Sequence, residues 1–223
     1  MTGLSGRCVV VTGASGNLGR AVCARLQLEK ADLFALVHGE RGLPEIESRA
    51  ADVTDESSVE AAYDAALRRF GSVYGAVHCA GGWVGGTVAE TSLEAFERMV
   101  ALNLRSTFLC CRAALRRMKG EGRIVNVAAW QPFIGAGISG SAAYAAAKSG
   151  VIALTRAIAE ENSGVRASCV APGTMRTPEN AKGMPRADQS RWVPLEDVAE
   201  AIAYLLSPAA GAVTGAVLTL PAR

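Results

Sequence analysis

Apolar residues along the chain follow two alternating rhythms. Short runs such as Cys8 to Val11 and Leu33 to Val37 are apolar at successive positions. Such runs predict strands buried on both faces, whereas the stretches between them repeat apolar residues at every third or fourth position, as helices with one buried face do. The pattern predicts strands at 7–12, 32–37, 75–79, 123–127, 165–171 and 215–220, and helices at 18–29, 54–70, 91–119, 143–162 and 195–206. The 91–119 helix opens with Thr91 and Glu94 at capping-box spacing and is long enough to kink.

Strand-helix alternation of this kind predicts the α/β class, with right-handed crossovers giving a doubly wound parallel sheet of about seven strands. No stretch reads as a linker, a low-complexity segment or a repeat, so a single domain is expected over 1–223. The polar run from Pro172 to Pro194, rich in Pro, Met and Arg, is too long for an ordinary connection; its 174–194 portion is expected to cover a substrate as a lid.

Composition removes several classes of function. Half of the 223 residues are hydrophobic, enough for a sizeable core. A net charge of +2 and an aromatic content of 5 % give no support for nucleic-acid or membrane-surface binding. The first residues are short and polar, without the apolar core of a secretory leader, and no run approaches the ~20 residues that span a bilayer; a cytoplasmic location is expected. Six cysteines lie within apolar segments and form no CxxC pair, as in a reduced protein. His38 and His78 are not at metal-ligand spacing, so neither a zinc site nor a Ser-His-Asp triad is expected.

The candidate chemistry lies in five motifs. Thr12-Gly13-Ala14-Ser15-Gly16-Asn17-Leu18-Gly19 follows a strand and opens a helix. Gly13 permits the turn, the helix-start amides face a pyrophosphate, and Gly19 lets helix and sheet approach. This is the fingerprint of a Rossmann-type dinucleotide fold. Asp52-Val53 either accepts from an adenine amino group or serves the start of the next helix. Cys79-Ala80-Gly81-Gly82 ends a strand with residues small enough for a ligand to lie on backbone. Tyr144 and Lys148 share one helix face, where an ammonium would lower the phenol's pKa from about 10 and make it a proton donor. Pro172-Gly173-Thr174-Met175-Arg176-Thr177 turns the chain over the crevice, with Thr177 placed for phosphate and the Met175 backbone for a carboxamide.

Together and in this order, these motifs resemble the short-chain dehydrogenase/reductase family over essentially the whole chain. The resemblance extends to Asn103 in Ala101-Leu102-Asn103-Leu104 and to Val213-Thr214-Gly215 near the last strand. It implies that Tyr144 is the general acid/base, that Lys148 holds the nicotinamide ribose and tunes Tyr144, and that Asn103 keeps a water in a proton relay. It also implies a homodimer or homotetramer formed through the 92–119 and 143–162 helices.

The chain departs from the family where the strand before the Tyr144 helix ends. Ala129 stands in place of a serine, and losing such an oxyanion donor costs about 10²–10³ in rate. Either Ser139, Ser141 or Gln131 substitutes, or the substrate spreads its developing charge. Ala80-Gly81-Gly82-Trp83, Ala129 and Met184-Pro185-Arg186-Ala187-Asp188-Gln189-Ser190-Arg191-Trp192-Val193-Pro194 are similar to the quinonoid dihydropteridine reductase branch, which also lacks the serine; Asn103 follows the ordinary members. No acid stands near Val37 to hold a ribose 2′-hydroxyl, while His38 and Arg41 are available to a 2′-phosphate, which favours NADP over NAD. Trp83 and Trp192 are expected beside the crevice, either packing or stacking on substrate.

The expected substrate residues are Trp83, Ala129, Gln131, Met184 and Trp192, and the expected reaction is reduction of a small cyclic carbonyl, quinonoid or imine-like compound. An ordinary ketoreductase with a substitute hydroxyl and a non-catalytic dinucleotide sensor are the alternatives.

Overall fold

The computed structural model describes residues 3–39 and 42–222. Its sheet contains β1 (Cys8–Thr12), β2 (Asp32–Val37), β3 (Glu47–Ala50), β4 (Gly75–His78), β5 (Gly122–Val127), β6 (Val165–Pro172) and β7 (Val217–Leu220). The order is β3-β2-β1-β4-β5-β6-β7, and every pairing is parallel. The winding reverses between β1 and β4, so a crevice opens at their C-terminal ends, the place where an open α/β sheet binds ligands.

The helices are α1 (Asn17–Leu28), α2 (Glu56–Phe70), α3 (Leu93–Val100), α4 (Ser106–Leu115), α5 (Trp130–Ile134), α6 (Ala142–Glu161), α7 (Pro178–Gly183) and α8 (Leu195–Leu206). Alternate strand residues feed opposite layers, because successive side chains point to opposite faces. Val9 and Val11 pack with Val22, Leu26, Ile202 and Leu206 under α1 and α8. Val10 packs with Val59, Tyr63, Leu109 and Ile158 under α2, α4 and α6.

Four local expectations are corrected. β3 is a strand that the apolar pattern does not announce: it is mostly exposed and holds its place as an edge by pairing with Phe34 to Val37. The helix expected from Thr54 starts at Glu56, because Asp55 caps it by accepting from the Ser58 amide. The helix expected from Thr91 is capped by Ser92, which accepts from the Ala95 amide at 3.1 Å, while Thr91 donates back to the Thr87 carbonyl at 2.7 Å. That helix, interrupted as its length allowed, stops short of Lys119. A π-helical turn at Ala101–Arg105 divides it, and α4 ends at Leu115.

The 174–194 segment is less irregular than expected. It contains α7 and a 3₁₀ turn at Gln189–Arg191, and it is closed at its base by a bridge between Met175 and Val193.

Candidate active site

The glycine-rich turn joins β1 to α1. At Gly19 a Cβ would lie 2.2 Å from the Gly13 carbonyl, and at Gly13 (φ 63°) a Cβ would lie 2.7 Å from the Ala80 amide. Only glycine at both positions lets α1 start against the ends of β1 and β4. No side chain caps α1 at Gly16, so the first-turn amides and the positive end of the helix dipole are left for an anion. The residues present therefore fit the pyrophosphate of a dinucleotide.

Tyr144 and Lys148 lie one turn apart on α6, with the Lys148 Nζ 5.9 Å from the centre of the Tyr144 ring. Lys148 is buried and donates to the Val127 carbonyl at 2.7 Å, at the end of β5. Burial pulls its pKa down to about 8. Tyr144 is half-buried, and burial raises its phenol to about 12. This corrects the expectation of a phenol already lowered by the ammonium. In the structure Lys148 turns its hydrogen bond toward Val127, and loss of hydration dominates at Tyr144.

Asn103 completes the cluster from the π turn. The Gly82 amide donates to its Oδ1 at 3.2 Å, and its Nδ2 donates to the Gly82 carbonyl at 3.0 Å, clasping the loop after β4. The π turn makes the Ser106 amide bond to the Ala101 carbonyl. The Leu102 and Asn103 carbonyls are then met by the Ser106 and Thr107 hydroxyls at 2.6 and 2.8 Å. π turns of this kind are frequent at functional sites. A Cβ at Gly81 would lie 2.8 Å from Asn103 Oδ1 and 3.4 Å from Lys148 Nζ. Gly81 thus separates the two groups and leaves backbone facing the crevice.

Several large apolar side chains are exposed after β4 and β5 and in the 174–194 segment. Trp83 is 62 % exposed, its ring lies over Gly85, and its Nε1 donates to Ser141 Oγ at 3.2 Å. Phe133, Ile134, Ile138 and Met184 are also exposed. Ala129 is buried and is the residue before α5, where it provides no side-chain cap. Of the three candidate substitutes, Ser141 keeps its own proton while accepting from Trp83. Ser139 lines a groove of about 490 Å³ with Ala142, Ala146 and Ser149. Gln131 sits on α5 and packs beside Gly137.

The remaining expected residues are placed unevenly. Asp52 Oδ1 accepts from both the amide and the hydroxyl of Thr54, at 2.8 and 2.7 Å, and these bonds lower its pKa. These bonds close a turn ahead of α2 and engage one of the two carboxylate oxygens. Val53 packs on the core. His38 is exposed just after β2, and Arg41 lies outside the described residues. Thr177 caps α7 by accepting from the Asn180 amide, which leaves its hydroxyl proton free, and the Met175 carbonyl accepts from Asn180 Nδ2. Trp192 is 7 % exposed, in the packed state.

The sequence reading missed the Val127 carbonyl, which has no letter of its own, and a bond from Asn17 Nδ2 to Glu179 Oε2 at 2.5 Å. Among the described residues, no group of three His, Cys, Asp or Glu side chains is placed to hold a metal, and no helix is long and apolar enough to cross a membrane.

A seven-stranded parallel sheet with a dinucleotide turn at its switch point, and a tyrosine and a lysine one helical turn apart beside it, define a nicotinamide-dependent oxidoreductase. The family model described as enoyl-(acyl carrier protein) reductase matches residues 13–220, and the chain belongs to the short-chain dehydrogenase/reductase family. It is similar to cis-4-hydroxycyclohexanecarboxylate dehydrogenase of Sinomonas cyclohexanicum, at 39 % identity over 96 % of this chain and 94 % of that one. It is also similar to levodione reductase of Leifsonia aquatica, at 32 % identity over 98 % and 94 %. Among solved structures, a variant of actinorhodin polyketide ketoreductase with NADPH superimposes with a TM-score of 0.87, at 30 % identity, covering 97 % of this chain and 96 % of that one.

Proposed function

We propose that this oxidoreductase reduces a small cyclic carbonyl, quinonoid or imine-like compound, with Tyr144 as general acid. The observation that carries the reading is the half-buried Tyr144 one turn from the buried Lys148, whose ammonium lies close to Gly81 and Asn103. The bound nicotinamide supplies the hydride. The Tyr144 hydroxyl gives its proton to the substrate oxygen or nitrogen as charge develops there. Lys148 has three donors and spends one on Val127. The others hold the nicotinamide ribose and stabilise the phenolate left on Tyr144. Asn103 fixes the 80–82 backbone and keeps a water that returns the proton.

Gly13, Ser15, Gly16, Asn17, Leu18 and Gly19 hold the phosphates. Asp52 and Val53 meet the adenine, Cys79 to Gly82 line the ribose, and Pro172, Gly173, Met175 and Thr177 close over the nicotinamide end. His38 and Arg41 favour NADP over NAD. The chain acts as a homodimer or homotetramer, a reading supported by the exposed Leu93, Phe96 and Phe108 on α3 and α4. Its six free cysteines suit the reducing cytoplasm.

Ala129 bears on the substrate. With no hydroxyl there, the site suits a substrate whose charge is delocalised, as in the quinonoid branch the sequence resembles. A relative named for a hydroxylated cyclohexane ring is consistent with a cyclic substrate. A second reading, a ketoreductase in which Ser141 supplies the hydroxyl, rests on the proton that Ser141 retains while accepting from Trp83. Ala129→Ser separates them. On the first reading it is neutral or harmful for a quinone or quinonoid dihydropterin, because an unpaired buried hydroxyl costs ~1–3 kcal/mol, and it helps only aliphatic ketones. A wild-type preference for aliphatic ketones, with no gain in kcat/KM from Ala129→Ser, would sink the first reading and favour the second.

A further inference from the structure

The short bond between Asn17 and Glu179 joins two parts of the protein that a dinucleotide would also touch. Asn17 is the first residue of α1, directly after the glycine-rich turn. Glu179 is in the first turn of α7, two residues after Thr177, in the 174–194 segment. The 2.5 Å bond links residues 162 apart in sequence. It brings a carboxylate to a helix start that has no side-chain cap of its own. Negative charge is favoured at such a helix start, whether it comes from a side chain or from a ligand phosphate. The two anions compete there, since like charges a few ångströms apart repel.

We propose that Glu179 is a latch. In the free protein it ties the 174–194 segment to the glycine-rich turn, and it lowers dinucleotide affinity by contesting the helix start with the pyrophosphate. The inference rests on the dinucleotide-dependent reading above. Binding makes the carboxylate let go of Asn17, so the segment is released to settle on the substrate only after the dinucleotide is in place. Glu179 is thus a positioning residue that sets affinity and order of binding, and it takes no part in the chemical step.

Two measurements test this, and neither depends on turnover. The first is NADPH titration, followed by protein fluorescence, of wild type and Glu179→Gln at low and high ionic strength. The uncharged variant is expected to bind roughly two- to fivefold more tightly at low salt, with the gain shrinking as salt screens the charges. The second is trypsin cleavage after Lys182 and Arg186, both exposed, in the free proteins. Glu179→Ala removes the acceptor and is expected to be cut several times faster than wild type. Glu179→Gln, which keeps an oxygen for Asn17, should be cut at nearly the wild-type rate. Equal or weaker NADPH binding by Glu179→Gln at low salt, or no faster cleavage of Glu179→Ala, would overturn the latch while leaving the dinucleotide reading intact. If wild type bound neither NADPH nor NADH, that reading would fall and the latch with it.

Discussion

His78 closes β4 and Val127 closes the neighbouring β5, and each strand end carries a buried polar cluster. Around His78 the bonds run in one direction. The Tyr63 hydroxyl donates to Nε2 at 3.1 Å, Nδ1 donates to Asn126 Oδ1 at 2.7 Å, Asn126 Nδ2 donates to Thr155 at 2.9 Å, and Thr155 donates to the Val151 carbonyl at 2.7 Å. All four side chains are buried and each donates to an acceptor. Around Lys148 the matching is incomplete: one ammonium donor is spent on Val127, and the Tyr144 hydroxyl has no partner among the described residues. Two clusters of similar polarity thus divide the work. The one that satisfies itself fastens strands to helices, and the one that keeps donors in reserve beside an open crevice is equipped for chemistry. An ammonium with two further donors and a free phenol hydroxyl can both bind a ligand that enters the crevice.

Mutations in the two clusters should part accordingly. Lys148→Met should give the larger effect, weakening dinucleotide binding and collapsing turnover. It should nonetheless leave the fold more stable at pH 7. The pKa of Lys148 is held down to about 8 by burial, below its unfolded value, so below pH 8 the buried charge opposes folding in full. That cost is relieved as pH rises from 8 toward the unfolded value, so the stability gap between variant and wild type should narrow there. Urea unfolding at pH 7 and pH 10 checks this; a variant less stable than wild type at pH 7 would contradict it.

His78→Gln should have the smaller effect, with kcat essentially unchanged. Burial lowers His78 to about 4, below its unfolded value, so between about pH 6.5 and 4 the unfolded chain binds a proton that the fold refuses. Wild type should lose stability as pH falls through that window, by at most ~1.4 kcal/mol per pH unit from this one proton. His78→Gln should be flatter over the same range. Equal pH slopes in urea melts would show that His78 is not sealed as described.

Much of this was legible in the sequence where one residue type carries the constraint. Gly13 and Gly19 are forced by backbone approaching backbone, and Tyr144 and Lys148 share a face by helical spacing alone. Legibility failed where tertiary contact decides. β3 is polar because an edge strand needs a partner's ladder more than burial. Thr91 and Ser92 are neighbouring hydroxyls, and only the geometry of the following turn chooses Ser92 as the cap. Trp83 and Trp192 are the same side chain on opposite sides of a packing decision, one exposed and one buried. The bond from Asn17 to Glu179 spans most of the chain and leaves no trace in local pattern.

The central claim is that Tyr144 gives a proton while hydride is transferred at this crevice. It is tested most directly by following deuterium from C4-deuterated NADPH into a small cyclic diketone or quinone, in wild type and in Tyr144→Phe. Wild type is expected to place deuterium on the carbon of the diketone, or to oxidise one NADPH per hydroquinone formed. In Tyr144→Phe it predicts a rate lower by about 10²–10⁴, the span of a general-acid contribution, with NADPH binding little changed. Transfer by Tyr144→Phe at a rate near that of wild type would contradict it.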